Sequence, residues 1–370
     1  MRQFLSALAL AAVVATPAFA QARIVITIGG SDKVVYLPAK LAERLGYFHA
    51  QGVEVELRSE TAGVEARDAL LSGAVQGVVG FYDHTIALQA KGKLVQSVVQ
   101  FTVVPGEALL VSARSAQALH SAADLRGRTV GVTGLGASTS FLTRYLALMQ
   151  GVKPNEFDLV PAGAGNRFIA AMREGRIDAG MTTEPTVSRL LKSGEAQLLV
   201  DLRTPEATTR ALGGLYPSAC LYLNGAWAER NRPQVQRMVN ALVNALAYIH
   251  SHSGEEIAAV MPAEYYAGDR ALYVKAIDAA KPMFTLDGRM PHSGPATVLK
   301  VMSAIDRNVQ YKNIDLAKTF TGEFVSAARL DPRPVSATGS TRSDGVQSRM
   351  SHNAARVARL SRSGVLVTSR

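Results

Sequence analysis

One stretch of this chain is written twice. The segment 128-RTVGVTGLGASTSFLTRYLALMQGV-152 repeats the pattern of 23-RIVITIGGSDKVVYLPAKLAERLGY-47. Gly134 stands for Gly29, Leu142 for Leu37, Leu146 for Leu41 and Gly151 for Gly46, each 105 residues further on. A second echo sets 171-AMREGRIDAG-180 against 69-ALLSGAVQGV-78 at an offset of 102, and one short loop deletion accounts for the difference. Internal repetition at this spacing constrains the fold before any residue-level reading. It predicts two copies of a strand–helix–strand–helix–strand unit, one beginning at Arg23 and the other near Arg128.

Within the first copy, 23-RIVITI-28 is a β-branched run that stops at two glycines. Leu37, Leu41 and Leu45 fall at helical spacing, and Gly46 supplies the stop. The alternation in 53-VEVEL-57 predicts a strand, 64-VEARDALLSG-73 a helix closed by glycine, and 75-VQGVVG-80 a buried strand. Strands alternating with helices at this pitch predict an α/β fold, with mostly parallel sheets covered by helices on both faces. Residues 216–330 carry long helical patterns, at 233–252 and 296–307, and no clear βαβ run. The layout this predicts is two lobes: residues 23–105 with 216–330 in one, 106–215 in the other. The chain then crosses between lobes twice, near 102–110 and 200–218, and two crossings form a hinge suited to closing on a ligand.

The chain length of 370 residues suits two domains, and a hydrophobic share of 48% is ample for packed cores. A net charge of +10 would suggest nucleic acid. The excess is concentrated in a tail, however, where Arg333, Arg342, Arg349, Arg356, Arg359, Arg362 and Arg370 stand against Asp331 and Asp344. With aromatic residues at 6% and a single Trp, neither a base-stacking groove nor a sugar-stacking surface is expected. The tail, 331–370, is rich in Ser, Arg and Gly and reads as disordered, with an amphipathic contact at 353–360 as the alternative. At the other end, Arg2, the apolar run Phe4–Val14 and the small-residue site Ala18-Phe19-Ala20 predict a secretory signal cleaved after Ala20. The alternative there is an uncleaved anchor. The expected product is a soluble, exported protein. The lone Cys220 excludes an intramolecular disulfide.

Ligands of open α/β sheets sit at the carboxyl ends of strands, where loops feed helix N-termini. Four loops answer that description: 29-GGSDKVVYLP-38, 80-GFYDHTIAL-88, 133-TGLGASTSF-141 and 181-MTTEPTV-187. In the third, two glycines allow close backbone approach. Ser138, Thr139 and Ser140 place hydroxyls at a helix start, a natural seat for an anion. Ser138 or Thr139 is also expected to cap that helix. In the second loop, Phe81 and Tyr82 supply apolar walls, while Asp83 and His84 offer polar contacts or serve as a cap and a core residue. Glu184 is expected to orient an arginine, bind an amine or latch the lobes, and Arg167 in 163-GAGNRF-168 is a candidate anion partner. The GxSxG, HExxH and GxxxxGK[ST] signatures are missing, and His250 and His252 point to different faces of a helix. No enzyme activity, cofactor or metal is therefore expected.

The segments 29–57, 124-DLRGRTVGVTGLGASTSFLTRYLALMQGV-152 and 170-AAMREGRIDAGMTTEP-185 resemble the periplasmic solute-binding proteins of the taurine/sulfonate/nitrate group, also called NMT1/THI5-like. The resemblance covers the chain to about Leu330. It implies a two-lobed type II periplasmic-binding-protein fold, a monomer that captures a small anionic molecule, and delivery to an ABC permease of the inner membrane. It places ligand contacts in the loop before Pro38 (Ser31, Tyr36), on Phe81, Tyr82, Asp83 and His84, on Ser138, Thr139 and Ser140, and near Glu184 and Tyr216. The ligands it spans include sulfonates, nitrate, aromatic carboxylates and thiamine-pyrimidine precursors; Phe81 and Tyr82 tilt the expectation toward an organic anion. A ligand-sensing protein that presents its closed form to a receptor is a rival. A pyrimidine-synthesising enzyme is another, but it would call for a Cys- and His-rich iron-binding segment.

Overall fold

The computed structural model describes residues 23–330. The predicted signal at 1–20 and the predicted disordered tail at 331–370 lie outside the described residues. Among the described residues, no helix is long and apolar enough to cross a membrane.

Ten strands are described: β1 (Ile24–Ile28), β2 (Val55–Ser59), β3 (Gly77–Phe81), β4 (Val95–Gln100), β5 (Glu107–Ser112), β6 (Thr129–Val132), β7 (Asp158–Pro161), β8 (Ala179–Thr183), β9 (Ala196–Leu202) and β10 (Ala219–Asn224). They form two five-stranded sheets, ordered β2-β1-β3-β10-β4 and β7-β6-β8-β5-β9. The two orders superimpose, with β1 answering β6, β2 answering β7 and β3 answering β8. The duplicated segments therefore occupy equivalent places.

In each sheet one strand runs against its neighbours. β10 is antiparallel to β3 and β4, and β5 is antiparallel to β8 and β9. Each of these strands is the first after a crossing between the lobes. After β4 the backbone leaves the first sheet and enters the second as β5; after β9 it returns as β10. Neither strand is predicted by the sequence pattern. The run ACLYLN is buried at five of its six positions, and EALLVS at all six. A strand covered on both faces shows no alternation to read.

The helices cover the sheets as the apolar spacing requires. Leu37–Arg44 buries Leu37, Leu41 and Ala42, and packs on the long helix Arg232–Ser251. That contact places Val35, Leu41, Val79, Leu221, Leu242 and Leu246 in one core. A second core unites Tyr82 and Tyr222 from the first lobe with Leu109, Leu142 and Met181 from the second, closed by Val301 and Met302 of the helix Gly294–Ile305. A third, smaller core around Leu110, Phe168 and Ile177 belongs to the second sheet alone. The strand predicted at 53–57 begins two residues later, at Val55.

Candidate functional site

The four loops predicted from the sequence emerge at the ends of β1, β3, β6 and β8, the equivalent central strands of the two sheets. Glycine sets how closely they pack. A Cβ on Gly29 would lie 2.6 Å from Gly63 Cα, so the loop after β1 lies directly against the start of the helix Gly63–Leu71. From the other lobe, a Cβ on Gly134 would stand 3.0 Å from Val64 Cγ1 and 3.1 Å from Ala62 Cβ. The turn after β6 thus rests on that same helix start.

Between these loops lies a cavity with about 300 Å³ of space unfilled by protein, part of it open to solvent. The first sheet contributes Lys33, Tyr36, Gly63, Phe81 and His84 to its lining. The second contributes Glu107, Thr133, Ala137, Ser138, Thr139 and Thr183. Tyr36 and Phe81 meet edge to face, centroids 6.0 Å apart, and form an apolar wall. His84 makes edge contacts with Tyr222 of its own sheet and with Phe141 of the helix Ser138–Met149.

The polar groups around this cavity are unusually short of partners. His84 Nε2, Glu107 Oε2, Ser138 Oγ and Thr183 Oγ1 are all buried without a hydrogen bond from the protein. Buried polar atoms are nearly always paired with protein or with water, so these four are the groups the cavity wall offers for hydrogen bonding. Charge is also present. Lys33, 6% exposed, gives its ammonium to the Gly29 carbonyl, and burial lowers its pKa. Glu107, 2% exposed, is held well above the usual carboxylate range, first by burial and then by the nearby Asp83 carboxyl. Burial drives the His84 imidazole down to about 3, so the ring is neutral. Its Nδ1 pairs with the Tyr222 hydroxyl at 3.2 Å.

The NMT1/THI5 like family model matches residues 35–256. The chain belongs to the NMT1/THI5-like family. A solved structure of a protein from Bordetella bronchiseptica RB50 is similar, with a TM-score of 0.80 and 34% identity over 83% of this chain and 96% of that one. The alkanesulfonate-binding protein SsuA from Xanthomonas axonopodis pv. citri, solved bound to MOPS, is similar in fold. Its TM-score is 0.67 at 18% identity, covering 81% of this chain and 98% of that one. The shared architecture is the periplasmic-binding-protein fold. Among curated proteins, the 4-amino-5-hydroxymethyl-2-methylpyrimidine phosphate synthase THI13 of Saccharomyces cerevisiae is 25% identical over 224 residues, 58% of this chain. The chain spans 63% of the length of that relative.

In this NMT1/THI5-like chain, Tyr36, Phe81, His84, Ser138 and Thr139 line the cavity. Asp83 lies beside it, where burial raises its pKa to about 6 and the Tyr216 hydroxyl donates to its carboxylate at 3.2 Å. Asp83 is the first residue of the helix Asp83–Ala90 and makes no cap. The expected cap at 138–139 is also absent. Ala137 holds the N-cap position, Ser138 Oγ approaches the Asp83 carboxyl without completing a bond, and Thr139 Oγ1 accepts from the Thr133 N–H at 3.1 Å. Thr139 therefore ties the preceding turn to its helix and leaves the first amides of that helix uncapped.

The remaining candidates sit elsewhere. Tyr82 turns away from the cavity and pairs with the Thr319 hydroxyl in the core. Ser140 is buried outside the lining, Ser31 is half-buried against Ser59, and Arg167 is exposed beside Gly163. Glu184 takes the first of its three expected roles: Arg203 donates to its carboxylate at 2.7 Å, and the Ser188 N–H donates to the other oxygen at 3.0 Å. Glu184 and Arg203 line a separate, solvent-open pocket with Ala276, Ala280 and Met283. Sequence reasoning misses Lys33, Glu107, Thr133 and Thr183. For Glu107 a signal exists, since a lone acid stands directly before the apolar run ALLV.

Proposed function

We propose that this protein is the extracytoplasmic solute-binding component of an ABC importer. It captures a small organic anion, a sulfonate or carboxylate, and delivers it to an inner-membrane permease without chemical change. The observation that carries this reading is the interlobe cavity with its four unpartnered buried polar atoms, His84 Nε2, Glu107 Oε2, Ser138 Oγ and Thr183 Oγ1. The buried Lys33 ammonium and the uncapped amides opening the 12-residue helix Ser138–Met149 supply positive potential for the acidic end of the guest. Tyr36 and Phe81 pack its apolar part. The two backbone crossings, 101–106 and 203–218, act as the hinge between lobe 23–105/216–330 and lobe 106–215. The protein works as a monomer in the periplasm after removal of residues 1–20.

A thermal-shift screen tests this with benzenesulfonate, ethanesulfonate, benzoate, nitrate and 4-amino-5-hydroxymethyl-2-methylpyrimidine. A true ligand at a hundredfold excess over its Kd adds about 2.7 kcal/mol of stability. Stabilisation by the pyrimidine alone would replace the anion with a thiamine-precursor ligand. Two observations favour that second reading: the kinship to yeast pyrimidine phosphate synthases, and a cavity carboxyl, Glu107, able when ionised to accept from an exocyclic amine.

A further inference from the structure

Glu107 is the first residue of β5, at the point where the chain enters the second sheet. Its backbone is paired with Thr183 and with Leu202, so the side chain is carried on a rigid three-strand core. It is 2% exposed, it lines the interlobe cavity, and its Oε2 has no hydrogen-bond partner. Among the described residues it forms no ion pair within bonding distance, although the charge of Lys33, whose ammonium donates to the Gly29 carbonyl, acts on it from across the cavity. A buried carboxylate with no direct hydrogen-bond donor is the costly form of that side chain, the Lys33 charge offsets burial only in part, and the carboxylic acid is the form such a site tolerates. As an acid it carries an O–H donor and no charge to repel an incoming anion.

We propose that Glu107 determines ligand specificity by entering the complex as a carboxylic acid and donating its proton in a hydrogen bond to an oxygen of the bound anion, opposite Lys33. Anion capture and protonation of Glu107 are then linked. This rests on the anion-binding reading above. The ionisable groups that face Glu107 are Lys33 from the loop after β1, Asp83 from the helix after β3, and the phenols of Tyr36 and Tyr216. Both phenols are held high by burial and stay neutral. Asp83, raised to about 6, is a second buried carboxyl beside it, so the test must separate the two.

Sulfonates and nitrate stay ionised from about pH 5.5 to 8.5, so any pH dependence of their binding belongs to the protein. Calorimetric titration of the full chain with benzenesulfonate, ethanesulfonate and nitrate, in buffers of different ionisation enthalpy, reads both affinity and protons taken up. In the wild type we expect proton uptake on binding only above the pH at which free Glu107 ionises, where affinity falls by up to about tenfold per pH unit. Glu107→Gln keeps a donor at every pH and leaves Asp83 in place, so it should bind with a flatter profile and less uptake. Equal profiles in the two proteins, or a wild-type affinity that rises with pH while the variant loses binding, would overturn the role of Glu107 and leave the anion site standing. If the variant does not fold, wild-type binding without proton uptake above the pH at which free Glu107 ionises overturns that role equally. No binding of any of the three anions at any pH removes the anion site and this proposal together.

Discussion

The Val34 backbone N–H donates to the Glu184 carbonyl at 3.1 Å, and so ties the loop after β1 to the loop after β8 across the two sheets. The lobes are thus in direct contact beside the cavity. Lys192 and Asp269 add an ion pair between the helices Thr186–Ser193 and Arg270–Ala280. An arrangement in which two separate sheets meet over a partly filled cavity has a natural way to admit and trap a guest. Its consequences can be measured.

Closure depends on the glycine at 134. The atoms nearest a Cβ there belong to Val64 and Ala62 of the opposite lobe. Overpacking of this kind costs about 1–3 kcal/mol. Gly134→Val should therefore weaken ligand binding by about 5–150-fold and enlarge the ligand-bound radius of gyration in solution scattering. An unchanged affinity would mean that the lobes do not close through this contact.

Tyr82 should behave as a core residue. Its hydroxyl donates to Thr319 Oγ1, which in turn donates to the Leu316 carbonyl at 2.7 Å. Tyr82→Phe removes one buried hydrogen bond and should lower stability by about 1 kcal/mol in denaturant unfolding, with ligand affinity unchanged. A large loss of affinity at normal stability would put Tyr82 back among the ligand contacts.

His84 should not titrate in the physiological range. Its pKa is depressed to about 3 by burial, with the Arg67 charge acting in the same direction. Its ring proton resonances should stay constant between about pH 5 and 8. The folded chain resists a proton that the unfolded chain accepts near its ordinary value of 6.5, so the contribution is complete above that value and is lost as pH falls toward 3. Replacement by Leu should flatten the acid limb of the stability profile.

Asp83 has the opposite sign. Its folded-state pKa, raised from 3.8 to about 6 by burial, means the native state holds a proton that the unfolded chain releases. Stability from this group is full below about pH 4 and falls as pH rises through about 6. Melting temperatures should decline across that window in the wild type, and Asp83→Asn should reduce the decline. Tyr216→Phe takes away a donor to the carboxylate and should move the decline to higher pH.

Local pattern carries much of the architecture. The helices at Leu37–Arg44 and Gly63–Leu71 and the strand at Gly77–Phe81 follow from apolar spacing and glycine stops that adjacent residues set among themselves. The candidate loops are legible for the same reason, since each follows a readable strand. The caps expected at Ser138 or Thr139 and at Asp83 do not form. A hydroxyl or carboxyl at a helix start has several suitors. Here the Thr133 N–H takes Thr139 Oγ1, and the Tyr216 hydroxyl, remote in sequence, takes the Asp83 carboxylate, in place of helix amides.

By itself the sequence determined the duplicated α/β unit, the two lobes and the four loops at the strand ends, because helix and strand periodicity and glycine stops act within a few residues of one another. The tertiary structure alone decided that β5 and β10 form, each inserted antiparallel between two strands of its sheet. It alone set Lys33 of one lobe and Glu107 of the other into the same cavity, and turned Tyr82 out of it. Those outcomes depend on burial and on contacts between segments far apart in the chain, and no local pattern records them.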